Sequence, residues 1–162
     1  MVYSFEVTIE HPLAEYFTLN LIQLVKSDGG KGVFPAECVA ISIDNVERSI
    51  RRAEQISTVD IAIGVIARTT YPQLRNKRML MCEFRFNYKN AENISKTALE
   101  DKISNSQRIL RDKYEGLIDQ KCYFLFDKKI ISQAINRFSR IYNTRTTYRI
   151  ATTEEEFNKI IF

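Results

Sequence analysis

The sequence predicts an α/β fold, a mixed β-sheet flanked by helices. Two central runs, TVDIAIGVIA (58–67) and MLMCEFRF (79–86), are rich in β-branched or aromatic residues and are joined by a polar, proline-containing connection. From residue 44 onward, helix-periodic segments and strand-like runs follow the order helix, strand, strand, helix, strand, helix, strand. The 162 residues, 44% hydrophobic and 27% charged, suffice for one domain, 1–162, with a real core.

Taken in order, VYSFEVTI (2–9) reads as a short strand. His11-Pro12 then opens a helix over 12–27, since Leu13, Phe17, Leu21 and Leu24 recur at helical spacing and proline suits a first turn. SDGGKG (27–32) is a turn; it lacks the spacing of a phosphate-binding loop. Residues 33–43 are apolar without a clear period. Asp44 and Glu47 resemble a capping box for a helix to about 56, with Val46, Ile50, Ala53 and Ile56 inward. Strands follow at 58–67 and about 79–88, predicted to lie side by side and antiparallel. A long helix spans 94–112, with Leu99, Ile103, Ile109 and Leu110 inward. KCYFLFD (121–127) is a strand. Residues 130–142 form a helix with Ile131, Ile135, Phe138 and Tyr142 on one side. TTYRIA (146–151) is a last strand, and Thr153 with Glu156 caps a C-terminal helix.

Net charge is +4 with a pI of about 9.0, which permits an acidic partner such as nucleic acid without requiring one. Arg75, Lys77 and Arg78 lead into the second central strand, and Arg137 and Arg140 flank Phe138; these five are the expected phosphate-contacting residues. No apolar run approaches the roughly 18 residues of a membrane span. Cys38, Cys82 and Cys122 show no pair spacing, and no export signal is visible at the start, so a cytoplasmic location is expected. His11, the single histidine, cannot build a zinc site with these scattered cysteines.

The stretch MCEFRF carries the chemistry. Alternation sends Leu80, Cys82, Phe84 and Phe86 to one face, the core, and Glu83 and Arg85 to the other. Pairing of the two central strands as a hairpin brings Asp60 and Glu83 together at one edge. Two convergent carboxylates attract a hard divalent cation such as Mg²⁺.

Asp60 in TVDIAIG, Glu83-Phe84-Arg85 in MCEFRF and the helix and strand behind them resemble the PD-(D/E)XK nuclease superfamily over roughly residues 44–142. The resemblance implies a restriction-endonuclease-like core, α-β-β-α-β-α-β. It further implies Mg²⁺-dependent phosphodiester cleavage, with Asp60 and Glu83 as metal ligands and Glu83 and Arg85 as catalytic residues. Two positions depart from the pattern. Val59 stands where proline is common, and Arg85 replaces the lysine; an arginine keeps its charge but cannot shed a proton. Lys89 lies about 20 Å along the strand from Glu83. Lys96 or Lys102, on the following helix, is the better substitute, and Glu47 or Glu54 would supply a third carboxylate.

Three readings stay open: a metal-dependent nuclease or nuclease-like nucleic-acid-binding domain; a non-catalytic protein-binding, immunity-type or regulatory protein on the same degenerate fold; and an unrelated α/β protein whose strand charges are structural.

Overall fold

Two strands from the middle of the chain organise the rest. In a computed structural model describing residues 1–51, 53–67, 76–112, 114–142 and 148–162, β4 (Ile61–Ala67) and β5 (Asn76–Arg85) pair antiparallel, from Ile61 opposite Cys82 to Ala67 opposite Asn76. Around them lies a seven-stranded mixed sheet. Its order is β2 (Thr18–Asn20), β3 (Val39–Ser42), β4, β5, β6 (Leu117–Phe126), β7 (Arg149–Thr153), with β1 (Val2–Tyr3) paired to the far end of β4. β5, β6 and β7 run parallel; the other pairs are antiparallel.

The parallel neighbours need crossovers, and helices supply them. α5 (Lys96–Arg111) joins β5 to β6, and α6 (Ile131–Ile141) joins β6 to β7. Because both steps advance in the same direction along the sheet, one handedness puts both helices on one face. There Leu99, Ile103, Ala134 and Phe138 pack on Met79, Met81, Cys122 and Phe124. The other face is covered by α3 (Leu21–Ser27) and α7 (Glu154–Ile161), through Leu21, Val25, Phe157 and Ile161 over Ile63, Leu80, Cys82 and Leu125. Strand residues therefore alternate between two cores.

That double cover corrects one expectation for β5. Leu80, Cys82, Phe84 and Phe86 do share a face, but Met79, Met81 and Glu83 on the opposite face are buried as well. Exposure fails to alternate because both faces are covered. The irregularity in this region belongs to β6, which uses two extra residues between the Met79–Ile118 and Met81–Cys122 pairs.

The N-terminal third differs most from the sequence reading. Instead of a strand over 2–9, β1 ends at Tyr3 and α1 (Phe5–Glu10) begins, because the Ser4 hydroxyl accepts from the Val7 N–H at 3.3 Å. α1 lies against Gly64, where a Cβ would stand 2.3 Å from the Thr8 nitrogen; only glycine fits that approach. The expected single helix over 12–27 is split into α2 (Ala14–Phe17), β2 and α3. Asn20 ends the strand and caps α3 by accepting from the Gln23 N–H at 3.2 Å.

α4 (Ile43–Ser49) is shorter than expected, and its cap is Ser42, which accepts from the Asn45 N–H. Ala53 is exposed rather than inward. In α6, Phe138 is buried, as is Tyr142 at its end, as expected, but Ile135 is 48% exposed and Ala134 takes the inward place. Thr153 caps α7 as expected, accepting from the Glu156 N–H at 3.3 Å.

The three cysteines are free and buried. His11 is buried too: its Nδ1 accepts from the Leu13 N–H, and Nε2 sits 3.0 Å from the Leu110 carbonyl at the end of α5. The GGKG loop is a structural turn, with Gly29 and Gly32 at positive φ and the Lys31 N–H bonded to the buried Glu154 carboxylate. Among the described residues no helix is long and apolar enough to cross a membrane.

Candidate functional site

The end of the sheet where β3 stops, β4 starts and β5 stops gathers the acidic residues. Continuing the β4–β5 register by one residue sets Asp60 opposite Glu83, on the face covered by α5. Two main-chain bonds fix Asp60: its carboxylate accepts from the Phe84 N–H, and its carbonyl accepts from the Ile43 N–H at 3.0 Å. Burial, then the neighbouring Glu83 carboxylate, pushes the Asp60 carboxyl up to about 8.

Glu83 is 1% exposed. Its Oε1 takes two cations, Arg85 from its own strand and Lys102 from α5, each at 2.7 Å. Oε2 is buried and has no hydrogen-bond partner. Burial outweighs both cations, so the Glu83 carboxyl is raised from its ordinary value. Arg85 is held a second time, its guanidinium lying 4.7 Å from the centre of the Tyr88 ring.

Of the three replacements for the missing lysine, the structure brings only Lys102 to Glu83. Lys96 lies over the Tyr142 ring, and Lys89 is exposed in the turn after β5. Neither proposed third carboxylate joins the pair: Glu47 is buried and accepts from the Ile56 N–H, and Glu54 is exposed.

Sequence reasoning missed Asp44 and Asp28. With Asp60, Ser42, Asn45, Arg48 and Phe84 they line a cleft of about 330 Å³ at this end of the sheet, between α3 and α4. Asp44 accepts from the Thr58 hydroxyl at 2.5 Å, and its charge acts on Asp28, Asp60 and Glu83. Asp28 stands at the end of α3, where burial raises its carboxyl. An acid beginning a helix and an acid ending one are ordinary in sequence, so nothing marked them.

The expected basic surface is not gathered at this end. Lys77, paired with Glu10 at 2.8 Å, and Arg78, paired with Asp119 at 3.4 Å, occupy the opposite end of β5, about 20 Å from Glu83. Arg137 donates twice to the Ile94 carbonyl, at 3.1 and 2.9 Å. With Arg140 it lines a separate cleft beside α6. Arg75 lies outside the described residues.

Asp60 and Glu83 are the two carboxylates that would hold a divalent cation at this end of the sheet. Mg²⁺ commonly uses one or two carboxylates and fills its remaining positions with water and substrate phosphate. Glu83 Oε2 has no hydrogen-bond partner and is the oxygen a cation would take, while Oε1 already carries Arg85 and Lys102. Among the described residues no group of three or more His, Cys, Asp and Glu side chains is arranged to hold a metal, so the pair would act without a third protein acid.

Comparison with known proteins returns no match: no protein family, no curated protein and no solved structure is significantly similar to the chain. Function has to come from the chemistry of the site.

Proposed function

We propose that the protein is a Mg²⁺-dependent phosphodiesterase acting on nucleic acid, a nuclease of the PD-(D/E)XK type. The observation that supports this most is the nearness of Asp60, the residue just before β4, to Glu83 on the neighbouring β5, with Lys102 and Arg85 on the Glu83 carboxylate. The order α4, β4, β5, α5, β6, α6, β7 agrees with the restriction-endonuclease-like core. Three unpaired buried cysteines agree with a reducing, cytoplasmic setting.

In this reading Asp60 and Glu83 hold the cation. Once bound, the metal supplies an activated water and a positive charge for the phosphate under attack. The protein's own residues do the rest. Asp60 faces the cleft, locked by the Phe84 N–H. Arg85 and Lys102 both bond Oε1 of the buried Glu83 and so aim its carboxylate. Cleavage of plasmid, single-stranded DNA and RNA with Mg²⁺ or Mn²⁺ tests the proposal against Glu83→Gln. Metal-dependent cleavage lost in the variant supports it; cleavage that survives places the active site elsewhere.

One observation favours the second reading. Glu83 is already neutralised by two cations of its own chain, as in a fold whose catalysis has lapsed. A non-catalytic, protein-binding protein of immunity or regulatory type would bind no metal at Asp60 and Glu83 and cleave none of these substrates.

A further inference from the structure

The cleft beside α6 is separate from the carboxylate pair and has a chemistry of its own. Its two walls leave the sheet from neighbouring parallel strands. The connection after β5 supplies Ala91 and Glu92, and the helix after β6 supplies Gln133, Asn136, Arg137 and Arg140. Crevices beyond the carboxyl ends of such strands are where open α/β sheets commonly take ligands. The four α6 residues stand at i, i+3, i+4 and i+7, one stripe about 10 Å long, turned away from the Ala134 and Phe138 stripe that the core buries. Arg137 is oriented: Nε and Nη2 donate to the Ile94 carbonyl at 3.1 and 2.9 Å, which fixes the guanidinium and leaves Nη1 without a partner among the described residues. Arg140, one turn on, makes no hydrogen bond or ion pair among them, and Glu92 on the facing wall pairs with neither arginine. Two uncompensated guanidiniums thus face one carboxylate across a cleft of about 370 Å³.

We infer that this cleft binds a nucleotide by its terminal phosphate: Arg137 and Arg140 take the phosphate dianion, and Glu92 across the cleft accepts from the sugar hydroxyls. The inference does not depend on a metal at Asp60 and Glu83. Charge gives the phosphate: two guanidiniums match a dianion, and their planar forks fit its oxygens, whereas a lone carboxylate would leave one cation unanswered. Charge also limits the rest of the ligand. Glu92 repels a second anionic group on its own side but accepts hydrogen bonds from hydroxyls. The Gln133 and Asn136 amides both donate and accept, which suits the polar edge of a base. The volume falls within the roughly 300–1,000 Å³ of small-molecule sites.

The test is calorimetric titration of the full chain with AMP, adenosine, 2′,3′-dideoxy-AMP and a 5′-phosphorylated ribo-oligonucleotide, for wild type, Arg140→Met and Glu92→Ala, with thermal melts to confirm folding. AMP should bind at least about ten-fold tighter than adenosine, and Arg140→Met should weaken AMP by about ten-fold or more. Arg140 holds nothing else among the described residues, so the melting temperature of that variant should not move. Glu92→Ala should weaken AMP and leave dideoxy-AMP unchanged. The oligonucleotide separates two sources of the same phosphate: if it alone binds and Arg140→Met weakens it, the ligand is a strand end, and if AMP binds as well or better, it is the free nucleotide. Binding of neither AMP nor the oligonucleotide overturns the inference. So does AMP affinity that is equal to that of adenosine or indifferent to Arg140→Met. A Glu92→Ala variant that loses AMP and dideoxy-AMP alike overturns the placing of the sugar.

Discussion

Removing the charge of Asp60 should make the protein more stable at alkaline pH. The Asp60 carboxyl is raised from an ordinary 3.8 to about 8, first by burial and then by Glu83. The folded state thus retains a proton that the unfolded chain releases. The sign follows: Asp60's contribution is fully present below about pH 4 and is lost as pH rises through about 8. At about 1.4 kcal/mol per pH unit the ceiling is ~6 kcal/mol. Asp60 borders an open cleft, where water screens the charge, so at most half of that, ~2–3 kcal/mol, is the expected penalty. Asp60→Asn removes the charge yet keeps an oxygen to accept from the Phe84 N–H. In urea unfolding with EDTA present, the variant should exceed wild type by ~2–3 kcal/mol at pH 9. It should match wild type near pH 4. The melting temperature at pH 9 should rise by about 5–10 °C. A variant no more stable than wild type at pH 9, or pH profiles that run parallel, would refute the account of the carboxylate pair.

Other consequences follow from the same contacts. Glu83→Gln should lose Mg²⁺-dependent cleavage while its circular dichroism spectrum and melting temperature show an intact fold. The buried His11, whose pKa burial lowers, contributes stability that is present above about pH 6.5 and lost as pH falls below it; His11→Gln should cost about 1–3 kcal/mol at pH 7.5 and less at pH 5, read by chemical denaturation. Gly64→Ala should destabilise by roughly 3 kcal/mol or more, visible as a lowered melting temperature, because the new methyl meets the α1 backbone.

The middle and C-terminal parts of the fold were legible in the sequence because their signals are local. The β-branched run 61–67 has no other good use than a strand, and Leu99, Ile103 and Leu110 declare one face of a helix. The N-terminal third was not. Its apolar spacing runs on through β2 as one helical period, yet Phe17 packs on one side of the sheet and Leu21 and Leu24 on the other. A period says that residues share a stripe; it cannot say that the chain crosses the sheet between them. Residues 2–9 misled in the opposite way, since a Ser4 cap outweighed a strand-like pattern. At the candidate site, the nearness of Asp60 and Glu83 was readable from strand pairing alone. That Lys102 rather than Lys96 reaches Glu83 depends on the rotation of α5 over the sheet. Asp28 and Asp44 depend on where two other helices end and begin.

The proposed function requires that Asp60 and Glu83 together bind a divalent cation. Anomalous diffraction from crystals soaked in Mn²⁺ tests it most directly. The account predicts one Mn²⁺ peak bridging the two carboxylates, at about 2.0–2.3 Å from an oxygen of each, and its loss in Glu83→Gln. A fully soaked crystal with no peak between Asp60 and Glu83, or with manganese bound only elsewhere, would contradict it.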